Sequence, residues 1–394
     1  MEEIRVLFDF GASGRHHSLY DEILQAPPEG VKYTTPSLSS RRIPKLAVKA
    51  YEKVRSALDG KVDLAKYARK MNRAAAGEAG YDVVHLANHL DAVPTPFVAD
   101  LEQAMSFLHA RVNAQNIASE FAKFRQQRTG IMESSQCKFL LPWSEASAKS
   151  LSLAFPSEKV RKKVQVVKLA MRVPENHEPV KHEGFRALFL GSANIGGDWN
   201  FYFKGGRRVL RVFREFAKGK EDVELAITGQ VPERERENLA ATPKCRLTGL
   251  VSKEKMEELM RTSDVLFYPA YSTPGLAFIE AMRYHMPIVT TDAWANKEVV
   301  KDGVNGLVSA FTEFSTRTEF NLPPMRESFM DFELKGGDRR LDAGLLKNLD
   351  ALYDSPSLRR KLGKNGFREV SAGERSIGVR NRKLREIYEQ CLRK

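Results

Sequence analysis

A rhythm of short apolar runs separated by charged, helix-like stretches constrains this chain most, because it begins twice. "IRVLFDF", "DVVHLAN" and "CKFLLPW" punctuate the first half, and after the polar connector "RVPENHEPVKHEG" (Arg172–Gly184) the rhythm restarts. There it runs through "FRALFLGS", "VELAITGQ", "KCRLTGLV", "DVLFYPA" and "MPIVTTD". Such runs alternating with stretches like "KGGRRVLRVFREFAKG" and "SKEKMEELMRTS" read as parallel strands covered by helices on both faces. The 394 residues suit two domains rather than one core. The fold class is therefore α/β, with two Rossmann-like doubly wound domains at 1–175 and 176–375. A terminal docking helix at 376–394 carries Ile377, Leu384, Ile387, Tyr388 and Leu392 near one face. Residues 311–340 break the rhythm and read as a long polar insertion.

With 42% hydrophobic and 29% charged residues, disorder is not the default. No apolar run approaches the roughly 20 residues that span a bilayer, and the chain starts directly into its first strand, so the expected location is cytoplasmic. Cys137, Cys245 and Cys391 stand far apart without a Cys-x-x-Cys pairing, which argues against a disulfide framework and a thiolate zinc site. The net charge of +13 favours anionic partners: nucleic acid, acidic lipid or phosphorylated small molecules. In residues 45–73, Val48, Tyr51, Val54 and Leu58 recur at helical spacing among Lys45, Lys49, Lys53 and Arg55. That segment suits either a peripheral contact with anionic membrane or a solvated helix facing its own core. No sheet interleaves aromatic with basic residues in the manner of an RNA-binding module, so no nucleic acid is expected.

"STPGLAFIEAMRYHMPIVTTD", Ser272–Asp292, sets one carboxylate, Glu280, inside an apolar run. Pro274 and Gly275 fit the first turn of a helix, whose N–H groups suit a diphosphate. Glu280, five residues beyond Gly275, could reach a hydroxyl beside that phosphate. The alternative is a structural ion pair, since a buried Glu is costly without a partner.

"PGLAFIEAMRYHMPIVTTD" followed by "EVVKDGVNGLV" resembles the nucleotide-sugar signature of retaining GT-B-fold glycosyltransferases, the group 1 glycosyl transferases. The preceding "ALFLGS", "FKGGRRVLRVF", "VELAITGQ" and "RLTGLVSKEKMEELMRTSDVLFYP" are similar to that family's successive donor-domain segments. The resemblance covers about 185–310 closely and the first half in outline. It implies two domains facing across a cleft, a C-terminal helix returning to the first domain, and a hexosyltransferase that needs no metal or other cofactor. A UDP- or GDP-sugar would be the donor, and a glycan or lipid-linked molecule the acceptor.

The same resemblance implies that Glu280 holds the ribose hydroxyls and that Lys204 neutralises the diphosphate leaving group. The backbone of Gly249–Val251 would meet the base. Gly14, Ser192, Val251, Ser272, Gly275 and Leu276 complete the implied donor contacts. Three family features depart: Ser272 stands where a second carboxylate is usual, Ser192 where an arginine often follows "FLG", and Trp294–Ala295 where a glycine pair usually precedes "EVV". "VPTPFVADLEQAMSFL" resembles the segment where relatives place a histidine near the anomeric carbon, and Asp100 and Glu102 occupy that neighbourhood. Either acid could orient the acceptor hydroxyl, take its proton or stabilise a cationic sugar; either could instead cap the next helix. "NHLD", Asn88–Asp91, is a further acceptor candidate, and Arg15, His16 and His17 lack the acidic or thiolate partners of a metal site. Two other readings stay open: a nucleotide-sugar epimerase or hydrolase of the same fold, and a basic RNA- or lipid-binding protein without transfer activity.

Overall fold

The computed structural model describes residues 3–10, 18–35, 80–107, 117–191, 198–271, 275–311 and 326–393. The basic segment 45–73, the histidines His16 and His17, and residues 312–325 of the 311–340 stretch lie outside them, while the helix Arg326–Leu334 in that stretch buries Phe329 and Glu333 and is therefore not simply a polar insertion.

The described residues form two all-parallel sheets. The first carries β1 (Ile4–Asp9), β2 (Val31–Thr34), β3 (Val83–Leu86), β4 (Phe97–Leu101) and β5 (Cys137–Pro142) in the order β2-β1-β3-β4-β5. The second carries β6 (Phe185–Leu190), β7 (Val223–Thr228), β8 (Cys245–Gly249), β9 (Val265–Phe267), β10 (Ile288–Thr291) and β11 (Gly306–Ser309) in the order β11-β10-β9-β6-β7-β8. The central strands are buried on both faces: every residue of β3, β4 and β9 is inaccessible. Both faces must then be covered by helices, which is why parallel order and helical crossovers come together. In the second sheet the strand order reverses between β6 and β9, the switch point at which doubly wound folds hold ligands beyond the carboxyl ends of their strands.

Three strands were not anticipated. β4 hides behind Pro94 and Pro96 and holds an acid, while β2 and β11 are four-residue edge strands. The helix Ile377–Leu392 lies on the first sheet, where Leu384, Ile387, Tyr388 and Cys391 pack with Ile4, Val6, Val31, Val83 and Val98. Leu392, expected on that face, is 45% exposed. The helical repeat carries the buried stripe to Cys391 instead. Among the described residues no helix is long and apolar enough to cross a membrane.

The carboxyl ends of the two sheets face each other. Glu298, just after β10, accepts the N–H groups of Glu145 (2.8 Å) and Ala146 (2.7 Å) at the start of the helix Glu145–Ala154, which follows β5. Arg283 donates to the Arg172 carbonyl of the connector at 2.7 Å, and Arg172 pairs with Glu22 of the helix Ser18–Gln25 at 2.9 Å.

Candidate functional site

The site grows from the switch point. At the end of β6, Gly191 lies so close to β7 that a Cβ would meet the Thr228 carbonyl oxygen at 2.0 Å. The short helix Trp199–Phe203 ends with Lys204, and Gly205 follows at φ 85°. A Cβ on Gly205 would come within 2.5 Å of the Pro269 carbonyl oxygen. Only glycine permits both the left-handed turn and that approach. The Tyr271 N–H donates to the Phe203 carbonyl at 2.9 Å, so the Lys-Gly-Gly turn is pinned to the segment leaving β9.

That segment leads to Gly275, which caps the helix Leu276–Met282. Gly275 takes φ 93° and stands before the helix, not in its first turn as the sequence suggests. A Cβ there would press on Val299 Cγ2 at 2.7 Å. Leu276 is the first helical residue, and the first backbone bond, Ile279 N–H to Gly275 carbonyl, leaves the N–H groups of residues 276–278 outside the helical ladder.

Glu280 of this helix faces Lys204. Burial pushes the Glu280 carboxyl up, while Arg283 and then Lys204 pull it down and Glu22 opposes them. Burial likewise lowers the Lys204 ammonium to about 8, against a smaller upward pull from Glu280. Glu280 retains some contact with solvent, as fits an acid at the floor of a cleft. The two opposite charges feel each other, yet among the described residues no hydrogen bond or ion pair reaches either charged head. An acid and an ammonium carried into a low-dielectric site and left unjoined suit a ligand with hydroxyl and anionic groups. Neither suits a closed structural ion pair.

Val251 is partly buried in the loop after β8, beside the exposed Leu250. The Gly249 carbonyl accepts the Gly229 N–H at 2.7 Å. Gly14, Ser192 and Ser272 lie outside the described residues.

In the first domain the two acids part company. Asp100 is buried inside β4, where it accepts hydrogen bonds from Tyr20 Oη (2.9 Å) and the Asn88 N–H (2.7 Å). It also faces His85 Nε2 at 3.1 Å, and His85 Nδ1 continues to Tyr388 of the C-terminal helix at 2.7 Å. Asp100 thus caps no helix; its oxygens are engaged in a buried polar network. Glu102, just past β4, is held by its backbone: its N–H donates to Asn88 Oδ1 at 2.9 Å and its carbonyl accepts from Ser147 Oγ. Its side chain remains partly exposed. Of the two, Glu102 is the more exposed.

Sequence reasoning missed Glu22, Arg283 and Glu298. Arg283 was findable, three residues beyond Glu280 on one helix face. Glu22 and Glu298 carry no local signal, since both act on the opposite domain.

Residues 193–316 match the family described as "Glycosyl transferases group 1". No curated protein matches the chain by sequence. Among solved structures, a glycosyltransferase from Rickettsia africae ESF-5 is similar with a TM-score of 0.61 at 12% identity, covering 100% of each chain. HepE from Anabaena, solved with UDP and glucose, gives 0.58 at 12% identity over 98% of this chain and 100% of its own. Sucrose-phosphate synthase from Thermosynechococcus elongatus gives 0.63 at 14% identity over 98% and 99%. These likenesses show the fold, which is GT-B. The family match lies wholly within the second domain.

Proposed function

We propose that the chain transfers a hexose from a nucleoside diphosphate sugar, a UDP- or GDP-sugar, to a glycan or lipid-linked acceptor, with retention and without a required metal. The observation that carries this reading is the unjoined pair Lys204 and Glu280 at the switch point of the second sheet. Glu280 offers a carboxylate to the ribose hydroxyls, and Lys204 offers an ammonium to the diphosphate.

As the C–O bond between sugar and diphosphate breaks, negative charge gathers on the departing phosphate. A fixed ammonium acts most strongly there, because the charge it meets develops in the transition state. The acceptor oxygen bonds to the anomeric carbon on the face the diphosphate leaves, and its proton passes to the departing phosphate or to Glu102. The HepE structure contains UDP and glucose, which favours uracil among the bases. The net charge of +13 supports an anionic or lipid-linked acceptor met at the cytoplasmic membrane face.

The test is calorimetry and thermal shift with UDP, GDP, ADP and their common sugar conjugates, with and without divalent metal. Stabilisation by one nucleotide in the presence of chelator supports the reading and names the base. Absence of stabilisation by all of them overturns it.

A further inference from the structure

Where the connector meets the carboxyl end of the helix Leu276–Met282, three metal-binding atoms converge. His177 Nδ1 lies 3.3 Å from His285 Nε2 and 3.5 Å from Glu178 Oε1. His285 Nε2 lies 3.9 Å from the same Glu178 oxygen. One atom of each residue serves all three distances, so the three form a small triangle with a common focus. Tetrahedral ligands at about 2.0–2.2 Å from zinc lie about 3.3–3.6 Å from one another. Two edges fit, and the third is long by a few tenths of an ångström at Glu178, whose side chain is 73% exposed and able to close.

We propose that His177, Glu178 and His285 bind a zinc-like divalent cation through two imidazoles and one carboxylate, with water in the fourth position. The cation clips the interdomain connector to the donor domain.

Chemistry without a cation serves the triangle poorly. One proton at most bridges the two ring nitrogens, and the carboxylate competes for the same space with an acceptor of its own. A cation satisfies all three at once. The rings are also oriented beforehand. Phe367, on the helix Pro356–Ser371, stacks on the His285 ring at 3.9 Å and on the His177 ring at 4.7 Å. His285 takes φ 57°, its N–H donates to the Met282 carbonyl, and its own carbonyl would meet a Cβ on Gly363 at 1.8 Å. Two nitrogens and one oxygen suit zinc, cobalt or nickel above magnesium. The clip sits past the end of the helix that carries Glu280, so it holds the hinge and takes no part in the chemistry at Lys204.

The test is calorimetric titration of chelator-treated full-length protein with zinc chloride, supported by the visible spectrum with cobalt. The variants are His177→Ala, Glu178→Gln and His285→Asn, asparagine being chosen because it tolerates the left-handed backbone. The wild type is expected to bind with a component that weakens at least about tenfold in each histidine variant and less in Glu178→Gln. Millimolar magnesium is expected not to compete, and bound cobalt to give the intense bands of a tetrahedral site. Circular dichroism matching the wild type assigns the loss to the ligands, and Glu178→Gln, at an exposed position, supplies a variant whose fold is not at stake. Zinc binding by all three variants equal to the wild type, or no uptake by the wild type at about 100 µM, overturns the proposal.

Discussion

Lys204 and Glu280 lie together at the switch point of the second sheet, with opposite charges that attract but share no hydrogen bond or ion pair among the described residues. The Lys-Gly-Gly turn holds the first against β9, and the helix after Gly275 holds the second. Both groups are therefore desolvated without full compensation in the free protein. Such a pair costs stability in the free protein.

The expected result for Lys204→Ala is a fall in kcat of about 10²–10³-fold with a smaller change in KM, because the charge it opposes is greatest as the diphosphate leaves. Steady-state kinetics with the identified donor check this. An equal loss in kcat and in donor affinity would assign Lys204 to uniform binding.

Donor binding should depend on pH through the same lysine. With its ammonium lowered to about 8, the free protein loses that charge as pH rises past 8, and affinity for the diphosphate should fall by up to about tenfold per pH unit. Calorimetry in buffers of different ionisation enthalpy should show proton uptake on binding above that pH. Lys204→Arg, charged throughout, should abolish the dependence.

Glu280→Gln should weaken nucleotide binding and raise the melting temperature of the free protein at neutral pH by roughly 2–4 °C. The sign follows from the carboxyl's raised position: the native state binds more protons than the unfolded one, so Glu280 destabilises increasingly as pH climbs above the ordinary carboxylate range. The gain in the variant should accordingly vanish in acid. Thermal unfolding at several pH values, with and without nucleotide, reads both effects; a melting temperature lowered at neutral pH would return Glu280 to a structural role.

Much of this architecture was legible because parallel strands buried on both faces leave continuous apolar runs. β6 to β10 can be read from composition alone, and the glycines of the Lys204 turn mark a close approach. The first domain was harder. β4 contains Asp100, whose charge suggests a loop or a catalytic acid until Tyr20, Asn88 and His85 are seen around it. That network joins residues far apart in the chain, and no local pattern announces it. The same holds for Glu298, which reads as an ordinary surface acid until the other domain is placed beside it.

The two acids of the first domain should separate in experiment. Asp100→Ala removes the acceptor for buried donors and should cost about 2–4 kcal/mol of stability. Glu102→Gln should leave the melting temperature nearly unchanged while slowing turnover, as expected of an acid near the acceptor. Thermal unfolding beside kinetics checks both, and unaltered turnover in Glu102→Gln would remove Glu102 from the chemistry.

Glu298 gives the last test. Its carboxylate accepts two N–H groups at the amino end of the helix Glu145–Ala154, where the helix dipole also favours negative charge. Ser144 caps the same helix through the Ser147 N–H at 3.0 Å, so Glu298 is not needed for the helix to form. Its two hydrogen bonds instead tie the second domain to the first. Glu298→Ala should therefore lower overall stability by only about 1 kcal/mol, yet loosen the domains measurably. Small-angle scattering should show a larger radius of gyration for the variant without ligand, and donor should restore part of the difference. A variant with unchanged scattering would mean that the remaining bridges, Arg283 to the Arg172 carbonyl and Lys168 to Glu374, hold the domains without it.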